Sequence, residues 1–220
     1  MKVAVVIPCY NEEITIKSVI EDYKKYFTDI YVIDNNCTDA TAAIAKESGV
    51  IVLESNIQGK GEAIKTAFDV IDADLIILTD GDSTYLAKDS YNLLVYWLSN
   101  QYLEMVVGNR LSSKYFSKQQ IINGIGNRLF SKITELKYKT TILDLLSGSR
   151  LITKGFYKNM KITHSGFEIE TELTVSGIKK NNNIAYIDID YIARPKNSKS
   201  SINIIKDGFA ILKYILLEKR

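Results

Sequence analysis

The chain has 220 residues, of which 46% are hydrophobic and 25% charged, with a formal net charge of +2. These values are ordinary for a soluble globular protein and exclude a global field that would attract nucleic acid. Two cysteines are too few for a disulfide framework and fit a reducing compartment, and the longest uncharged stretch, residues 90–103, is too short to span a bilayer. We therefore expect a cytoplasmic or peripheral protein.

Two stretches of the chain are nevertheless basic. Residues 109–139 contain seven Lys or Arg against one Glu, and residues 194–220 contain seven against two acids. Such local charge favours contact with anionic partners, although a solvated surface explains many basic runs equally well.

The first hundred residues alternate between strand and helix patterns. Continuous β-branched runs are typical of strands covered on both faces, and apolar residues three or four apart are typical of helices. The pattern predicts strands at 3–7, 30–33, 50–53, 75–78 and 105–107, and helices at 12–27, 38–48, 62–71 and 90–98. Repeated units of this length favour a right-handed, parallel, doubly wound α/β sheet, in which ligands bind beyond the carboxyl ends of the strands.

The second half of the chain is less regular. We expect helices at 121–136, 167–178 and 202–217, a strand at 184–192, and a short strand after the turn at Ser147. The last helix places Ile205, Phe209, Leu212 and Leu216 on one face. This helix either completes the core or lies on an anionic bilayer, which its flanking basic residues would suit.

Asp80 and Asp82 follow the strand at 75–78 and are separated only by Gly81. Two carboxylates this close repel each other unless a cation lies between them or water solvates both. A solvated turn is one interpretation and a divalent metal site is the other. Further polar segments, "PCYNEE", "DNNCTD" and "GNR", follow other predicted strands. Because parallel strands end at the same edge, we expect these segments to meet there.

Six segments occur in one order along the chain: "VVIPCYNEE", "VIDNNCTDAT", "QGKGEAIKTA", "TDGDSTY", "VGNRL" and "DLLSGSRL". In order and spacing they resemble glycosyltransferase family 2 enzymes, in the branch that charges polyprenyl or dolichyl phosphate with a sugar. The resemblance implies a GT-A (Rossmann-like) fold: a mostly parallel central sheet with helices on both faces, plus a C-terminal amphipathic helix. It implies a single GT-A domain over residues 1–200 and a membrane-surface helix over residues 201–220.

The resemblance also implies a donor site. Asp80 and Asp82 would bind Mg²⁺ or Mn²⁺, with Thr84 as a weaker third ligand, since many relatives carry Gln there. Asn35 replaces an Asp of many relatives, which leaves the base open. Of two nearby acids, Glu168 and Glu170, one would contact the sugar. The implied nucleotide-sugar-binding residues are Pro8, Tyr10, Asn11, Glu12, Asp34, Asp39, Lys60, Asp80 and Glu168.

The acceptor side is implied by basic residues. Arg110 and Arg128 resemble two arginines that hold the acceptor phosphate and assist catalysis, and the segment "ARPKNSKSS" adds Arg194 and Ser200. Ser201 replaces the usual Lys of that motif. Asp144 takes the position of a catalytic base, or else orients the acceptor or its arginines. A phosphate acceptor, with a second pKa near ~6, needs no base at neutral pH.

These features together predict an inverting, metal-dependent transfer of a sugar, with UDP-N-acetylglucosamine or UDP-glucose as donor, to dolichyl or polyprenyl phosphate. The alternatives are GDP-mannose as donor, a hydroxyl acceptor, and a nucleotide-sugar binding module without turnover. We expect peripheral contact with the inner face of the cell membrane and no nucleic-acid partner. The sequence leaves a homo-oligomer open.

Overall fold

The computed structural model describes residues 1–113, 118–181, 183–198 and 202–219. In these ranges a seven-stranded sheet forms the centre of the molecule, in the order β3-β2-β1-β4-β6-β5-β7. The strands are β1 (Val3–Cys9), β2 (Asp29–Asp34), β3 (Ile51–Glu54), β4 (Leu75–Leu78), β5 (Met105–Asn109), β6 (Arg150–Thr153) and β7 (Ile184–Asp188).

The mostly parallel sheet is confirmed, with one reversal. β6 lies between β4 and β5 and runs antiparallel to both, while the other described pairs are parallel. The predicted strand at 184–192 ends earlier, because its partner β5 offers five residues and the register closes with Asn109 opposite Asp188.

Helices cover both faces of the sheet, as expected. They are α1 (Ile16–Tyr23), α2 (Thr41–Glu47), α3 (Lys60–Val70), α4 (Ala87–Leu98), α5 (Lys118–Tyr138), α6 (Lys154–Lys158), α7 (Ile169–Lys179) and α8 (Ile204–Leu217). The sequence did not predict α6, since a helix of five residues is too short to show a period. α1 is shorter than expected, because the chain from Glu12 to Thr15 forms a turn that ends in a hydrogen bond from Thr15 N to Glu12 O.

Alternate residues of β1 separate the two halves of the core. Val5 and Ile7 pack in the cluster that contains α1 and α4 side chains, whereas Ala4 and Val6 pack in the cluster that contains α3 and α7 side chains. Side chains from both faces of β1 therefore enter apolar clusters. This explains why the strands show continuous apolar runs in place of alternation.

α8 packs beside α5 and has two apolar faces. Ile211 and Ile215 are buried in a small cluster with residues of α5 and of the segment before β6. The face predicted from the sequence lies on the other side: Ile205 is 85% and Phe209 70% exposed. Ile211 and Ile215 therefore complete a core cluster, whereas contact of the exposed face with a bilayer stays a prediction. No helix in the described part of the chain is long and apolar enough to cross a bilayer.

Candidate active site

The carboxyl ends of β1, β4 and β5 meet at one cleft. Asp80 and Asp82 lie just after β4, and each is paired with a basic side chain. Lys60 Nζ lies 2.6 Å from Asp80 Oδ1, and Arg194 Nη2 lies 2.6 Å from Asp82 Oδ2. Asp82 is only 6% exposed. A solvated acidic turn is therefore not what the structure shows, because both carboxylates are neutralised by cations.

Thr84 fixes the orientation of Asp82. Its backbone N and its Oγ1 donate to Asp82 Oδ1, at 3.0 and 2.6 Å. Thr84 therefore serves in this structure as a positioning residue for Asp82. The other oxygen, Asp82 Oδ2, faces the guanidinium of Arg194.

The cleft suits a divalent cation. Carboxylate oxygens are the hard donors that Mg²⁺ and Mn²⁺ prefer, and a guanidinium already occupies the position opposite Asp82 Oδ2. Within the described residues no group of three or more His, Cys, Asp or Glu is arranged to hold a metal. The protein alone therefore offers an incomplete ligand set, which fits a cation shared with an anionic substrate.

Arg194 also contacts Glu12, which follows β1. Arg194 Nη1 lies 3.1 Å from Glu12 Oε1. Burial raises the pKa of Glu12 to about 7, against the opposing effect of Arg194, and the negative charge of Asp82 adds to the rise. One guanidinium thus holds two carboxylates together.

Lys60 lies at the floor of the cleft, between Asp80 and Glu170. Its Nζ is 2.6 Å from Glu170 Oε1 as well as from Asp80. Burial alone would lower the pKa of Lys60, but the two carboxylates outweigh it and raise that pKa. Of the two acids on this segment, Glu170 lines the cleft and Glu168 does not.

The Gly-Lys-Gly loop is packed against the loop before α7. Gly61 N donates to Ser165 O at 2.8 Å, and a Cβ on Gly61 would lie 2.0 Å from His164 O. The Gly61 amide is therefore committed to the protein. In this structure the Lys60 ammonium is held by both neighbouring acids.

Pro8 and Tyr10 line the cleft as predicted, but other predicted donor residues support loops instead. Asn11 Oδ1 accepts from Thr38 N at 2.8 Å, which ties the β1 loop to the β2 loop. Asp34 Oδ1 accepts from Cys37 N at 2.9 Å. Neither Asn11 nor Asp34 lines the cleft.

Asp39, which was predicted to bind the nucleotide sugar, lies outside the cleft, whereas Asn35 lies in its wall. Asp39 Oδ1 accepts from Thr41 N at 2.9 Å, at the start of α2, and Asp39 does not line the cleft. Asn35 does line it, and its side chain is held by Gly59 N at 2.6 Å and Ile57 O at 2.7 Å. Asn35 therefore forms part of the cleft wall.

Asp144 is fully buried and forms an ion pair with Arg110. Asp144 Oδ2 accepts from Arg110 N and Nε, both at 2.9 Å, and Oδ1 accepts from Arg110 Nη2 at 3.0 Å and Asn127 Nδ2 at 2.6 Å. Burial opposes ionisation of Asp144, but Arg110 outweighs it and lowers the pKa of this carboxyl. With both oxygens engaged inside the protein, Asp144 positions Arg110 and is not placed to act as a base.

Arg110 is held over two aromatic rings. Its guanidinium carbon lies 5.1 Å from the ring centroid of Tyr191 and 6.0 Å from that of Tyr85. Such stacking leaves the edge of a guanidinium available for an anion. Arg110 lines the cleft beside Arg194.

The structure does not bring the predicted acceptor residue Arg128 into the cleft with Arg110 and Arg194. Arg128 is exposed on α5, where its Nη2 donates to Leu111 O at 3.3 Å, and it does not line the cleft. Its neighbour Asn127 points inward to Asp144 instead, which no sequence signal indicated. Ser200 lies outside the described residues.

The cleft continues from the acids into a groove between α5 and α8. Cleft and groove together have a volume of about 830 Å³. The polar end contains Lys60, Asp82 and Glu170, and Arg110 and Arg194 lie along its wall. The far end is lined by residues of α5, of α8 and of the segments beside them, including Ile122, Phe130, Leu146, Ile202, Ile204 and Ile211. Asn123, Asn203, Lys206 and Asp207 also line this end, so one cavity joins a charged chamber to a groove that is only partly apolar.

Comparison with known proteins identifies the family. The family model for "Glycosyl transferase family 2" matches residues 4–160. The chain is 33% identical over 208 residues to glycosyltransferase AglJ of Haloferax volcanii, covering 94% of this chain and 68% of that protein. It is 28% identical to a dolichyl-phosphate hexose transferase of the same organism, covering 99% and 95% of the two chains.

The fold also matches a solved structure. Glucosyl-3-phosphoglycerate synthase of Mycobacterium tuberculosis, in complex with Mn²⁺, UDP-glucose and phosphoglyceric acid, aligns with a TM-score of 0.80 at 19% identity, covering 98% of this chain and 78% of that one. At that identity the match shows the fold alone. The family match and the sequence relatives show that the chain is a glycosyltransferase that belongs to glycosyl transferase family 2.

Proposed function

We propose that this enzyme transfers a hexose, from UDP-N-acetylglucosamine or UDP-glucose, to a polyprenyl or dolichyl phosphate, with inversion at the anomeric carbon. The observation that carries the proposal is the single cavity whose lining includes paired acids, two arginines and apolar side chains of α5 and α8. A nucleotide sugar, a phosphate and a prenyl chain would each need one of these surfaces in such a reaction.

The polar end suits the donor. Pro8, Tyr10 and Asn35 would contact the nucleoside, and Asp82, with Asp80 beside it, would hold Mg²⁺ or Mn²⁺ together with the diphosphate. Such a cation, when bound, neutralises charge on the departing diphosphate. The hexose would lie at the floor of the cleft, where Glu170, held by Lys60, can accept hydrogen bonds from sugar hydroxyls. A relative in Methanococcus voltae named UDP-N-acetylglucosamine--dolichyl-phosphate N-acetylglucosaminyltransferase, 25% identical over 97% of this chain and 94% of that protein, supports this class of donor.

The middle of the cavity suits the acceptor phosphate. Arg110 and Arg194 line it, and guanidinium groups bind phosphate through paired N–H donors. A phosphate monoester is largely ionised at neutral pH, so its oxygen can attack the anomeric carbon without losing a proton. The new O–C bond forms on the face opposite the diphosphate, and the C–O bond to UDP breaks with its electron pair on the departing oxygen. The engaged state of Asp144 favours this acceptor over a hydroxyl, which would need a base.

The apolar groove and the surface around it suit a prenyl chain in a membrane. On α5, Ile122, Ile125 and Leu129 are 56%, 61% and 59% exposed. α8 packs against α5, and its Ile205 and Phe209 are also exposed. Exposed Lys132, Lys206 and Lys213 lie on the same two helices. We propose that residues 1–200 form the catalytic domain and that the helix in 201–220 lies on an anionic bilayer with α5.

A transfer assay tests the proposal. Purified protein would be incubated with Mn²⁺ or Mg²⁺, undecaprenyl or dolichyl phosphate, and labelled UDP-N-acetylglucosamine, UDP-glucose or GDP-mannose in parallel. The proposal predicts label in the organic phase with a UDP-sugar. Extractable label with GDP-mannose alone would correct the donor. No extractable label with any donor, while UDP still raises the melting temperature, would overturn the lipid acceptor.

A further inference from the structure

We propose that Arg194 is a tethered cation that holds Asp82 and Glu12 together before substrates bind, and that it exchanges these carboxylates for phosphate oxygen when a divalent cation and a nucleotide diphosphate enter. This inference rests on the proposed function. It adds a role for Arg194 at the donor end that its expected contact with the acceptor phosphate does not include.

The described contacts of Arg194 include two acids and a serine. Its Nη2 lies 2.6 Å from Asp82 Oδ2, and its Nη1 lies 3.1 and 3.4 Å from the two oxygens of Glu12 and 3.2 Å from Ser198 Oγ. The Asp82 and Glu12 side chains are 9% and 11% exposed. Without a cation between them, these two poorly solvated carboxylates would repel each other.

A divalent cation and Arg194 compete for one atom. Asp82 Oδ1 already accepts two hydrogen bonds from Thr84, so Oδ2 is the oxygen left for a cation. A guanidinium 2.6 Å from that oxygen occupies the space in which a cation would bind, and two positive charges this close repel. Binding of the cation at Oδ2 therefore requires Arg194 to leave it.

The Arg194 side chain can move away from Asp82 without unfolding a helix or a strand. It lies in a segment after β7 that is neither helix nor strand, and its side chain is 22% exposed. The backbone two residues earlier is held by a hydrogen bond from Ile192 N to Thr84 O at 3.1 Å. The anchor keeps Arg194 at the wall of the cleft, so its displaced guanidinium stays within the chamber that would contain the phosphates.

Metal binding without turnover tests the exchange. Free Mn²⁺ would be measured by electron paramagnetic resonance during titration of the full chain, first alone and then with saturating UDP. The variants are Arg194→Ala and Arg194→Lys, which keeps the charge but contacts fewer oxygens. The control is Lys196→Ala, an equal loss of charge at an exposed position two residues further along. Circular dichroism and melting temperature would establish that each variant is folded.

The exchange predicts opposite effects in the two titrations. Arg194→Ala should bind Mn²⁺ alone at least fivefold more tightly than wild type, because its competitor is gone. It should bind UDP with Mn²⁺ at least fivefold more weakly, because an arginine contact with phosphate is lost. Arg194→Lys should fall between, and Lys196→Ala should match wild type in both titrations.

Two results would overturn the inference, and they are distinguishable. If Arg194→Ala binds Mn²⁺ alone no more tightly than wild type, while wild type binds UDP with Mn²⁺, Arg194 is not a competitor and only the exchange fails. If wild type binds no UDP in the presence of Mn²⁺, the donor site itself fails and the proposed function falls with it.

Discussion

The donor end and the acceptor end of the cleft are built in opposite ways. At the donor end, charged side chains are buried and each is held by several partners, as Asp82 is by Thr84 and Arg194. At the acceptor end, apolar side chains of α5 and α8 remain exposed, such as Ile125 at 61% and Phe209 at 70%. Under the proposed function, the polar substrate would meet charged groups that already hold one another, whereas the apolar one would meet a surface that a bilayer can cover. Arg110 and Arg194 lie where the two ends join.

The largest effect is expected where the buried charges are removed. Asp144→Ala leaves Arg110 buried without its carboxylate and should lower the free energy of unfolding by about 3–5 kcal/mol, measured by urea denaturation. The pKa of Asp144 is lowered by folding, so its contribution is complete above the unfolded value of 3.8 and is lost as the pH falls through the lower folded value. If Asp144→Ala were as stable as wild type at pH 7, the role of Asp144 as the partner of Arg110 would be wrong.

Asp82→Asn should lower catalytic activity through the donor end of the cleft while leaving the protein folded. Loss of a charged metal ligand is expected to lower kcat by at least about 100-fold, more than the usual effect of a supporting residue. Asp69→Asn, an exposed position on α3, is the matched control and should behave as wild type. Full metal-dependent activity in Asp82→Asn would contradict the assignment.

The acceptor end should respond in a different assay. Replacing Ile205 and Phe209 together by Asn should weaken binding to vesicles that contain anionic lipid by at least about tenfold, since each inserted side chain contributes ~1.5–3 kcal/mol. Solution stability and UDP binding should not change. Tyr102→Asn, 65% exposed at another place, is the control. Equal vesicle binding by all three proteins would show that α8 does not dock on the membrane.

Glu12 gives the donor end a pH signature. The folded pKa of about 7 lies above the unfolded value of 4.5, so the folded protein binds more protons in this window and loses stability as the pH rises through it. The slope should be at most about 1.4 kcal/mol per pH unit. It should vanish in Glu12→Gln and persist in the exposed control Glu21→Gln. Identical slopes in both variants would refute the assignment to Glu12.

The smallest effect is expected in the groove. A Cβ on Gly126 would meet no atom within 4 Å, so Gly126→Ala should stabilise α5 by about 0.5–1 kcal/mol. It should also raise KM for the lipid acceptor slightly, because the new methyl group would occupy the groove. In Gly124→Ala the added Cβ would lie 3.6 Å from Leu111 Cδ2, which is ordinary van der Waals contact, so a gain of similar size is expected. Thermal melts of the two variants would check both gains.

The fold and the location of the site could be predicted because both depend on local patterns. Apolar runs followed by Asp, Asn or Arg placed the polar side chains at the strand ends, and the resemblance placed Asp80, Asp82 and Arg110 in the cleft. The direction of β6 could not be predicted, since a run of four residues reads the same in both directions.

The partners of the charged residues depend on long-range contacts that no spacing reveals. Arg194 and Asp82 are 112 positions apart, and their pairing depends on how the segment after β7 returns to the cleft. The choice of Glu170 over Glu168 depends on the rotation of α7, and Asn127 turns inward while Arg128 turns out. Sequence reasoning therefore predicted several residues that line the cleft but not which groups neutralise one another.

We propose that one cavity recognises both a phosphate and the prenyl chain attached to it. This can be measured as kcat/KM, without membranes, for water-soluble acceptors of increasing chain length: glycerol 3-phosphate, dimethylallyl phosphate and geranyl phosphate, with the UDP-sugar that gives the highest rate. We expect kcat/KM to rise with each isoprene unit that the groove between α5 and α8 can cover. Equal values for all three acceptors, or a preference for glycerol 3-phosphate, would contradict it.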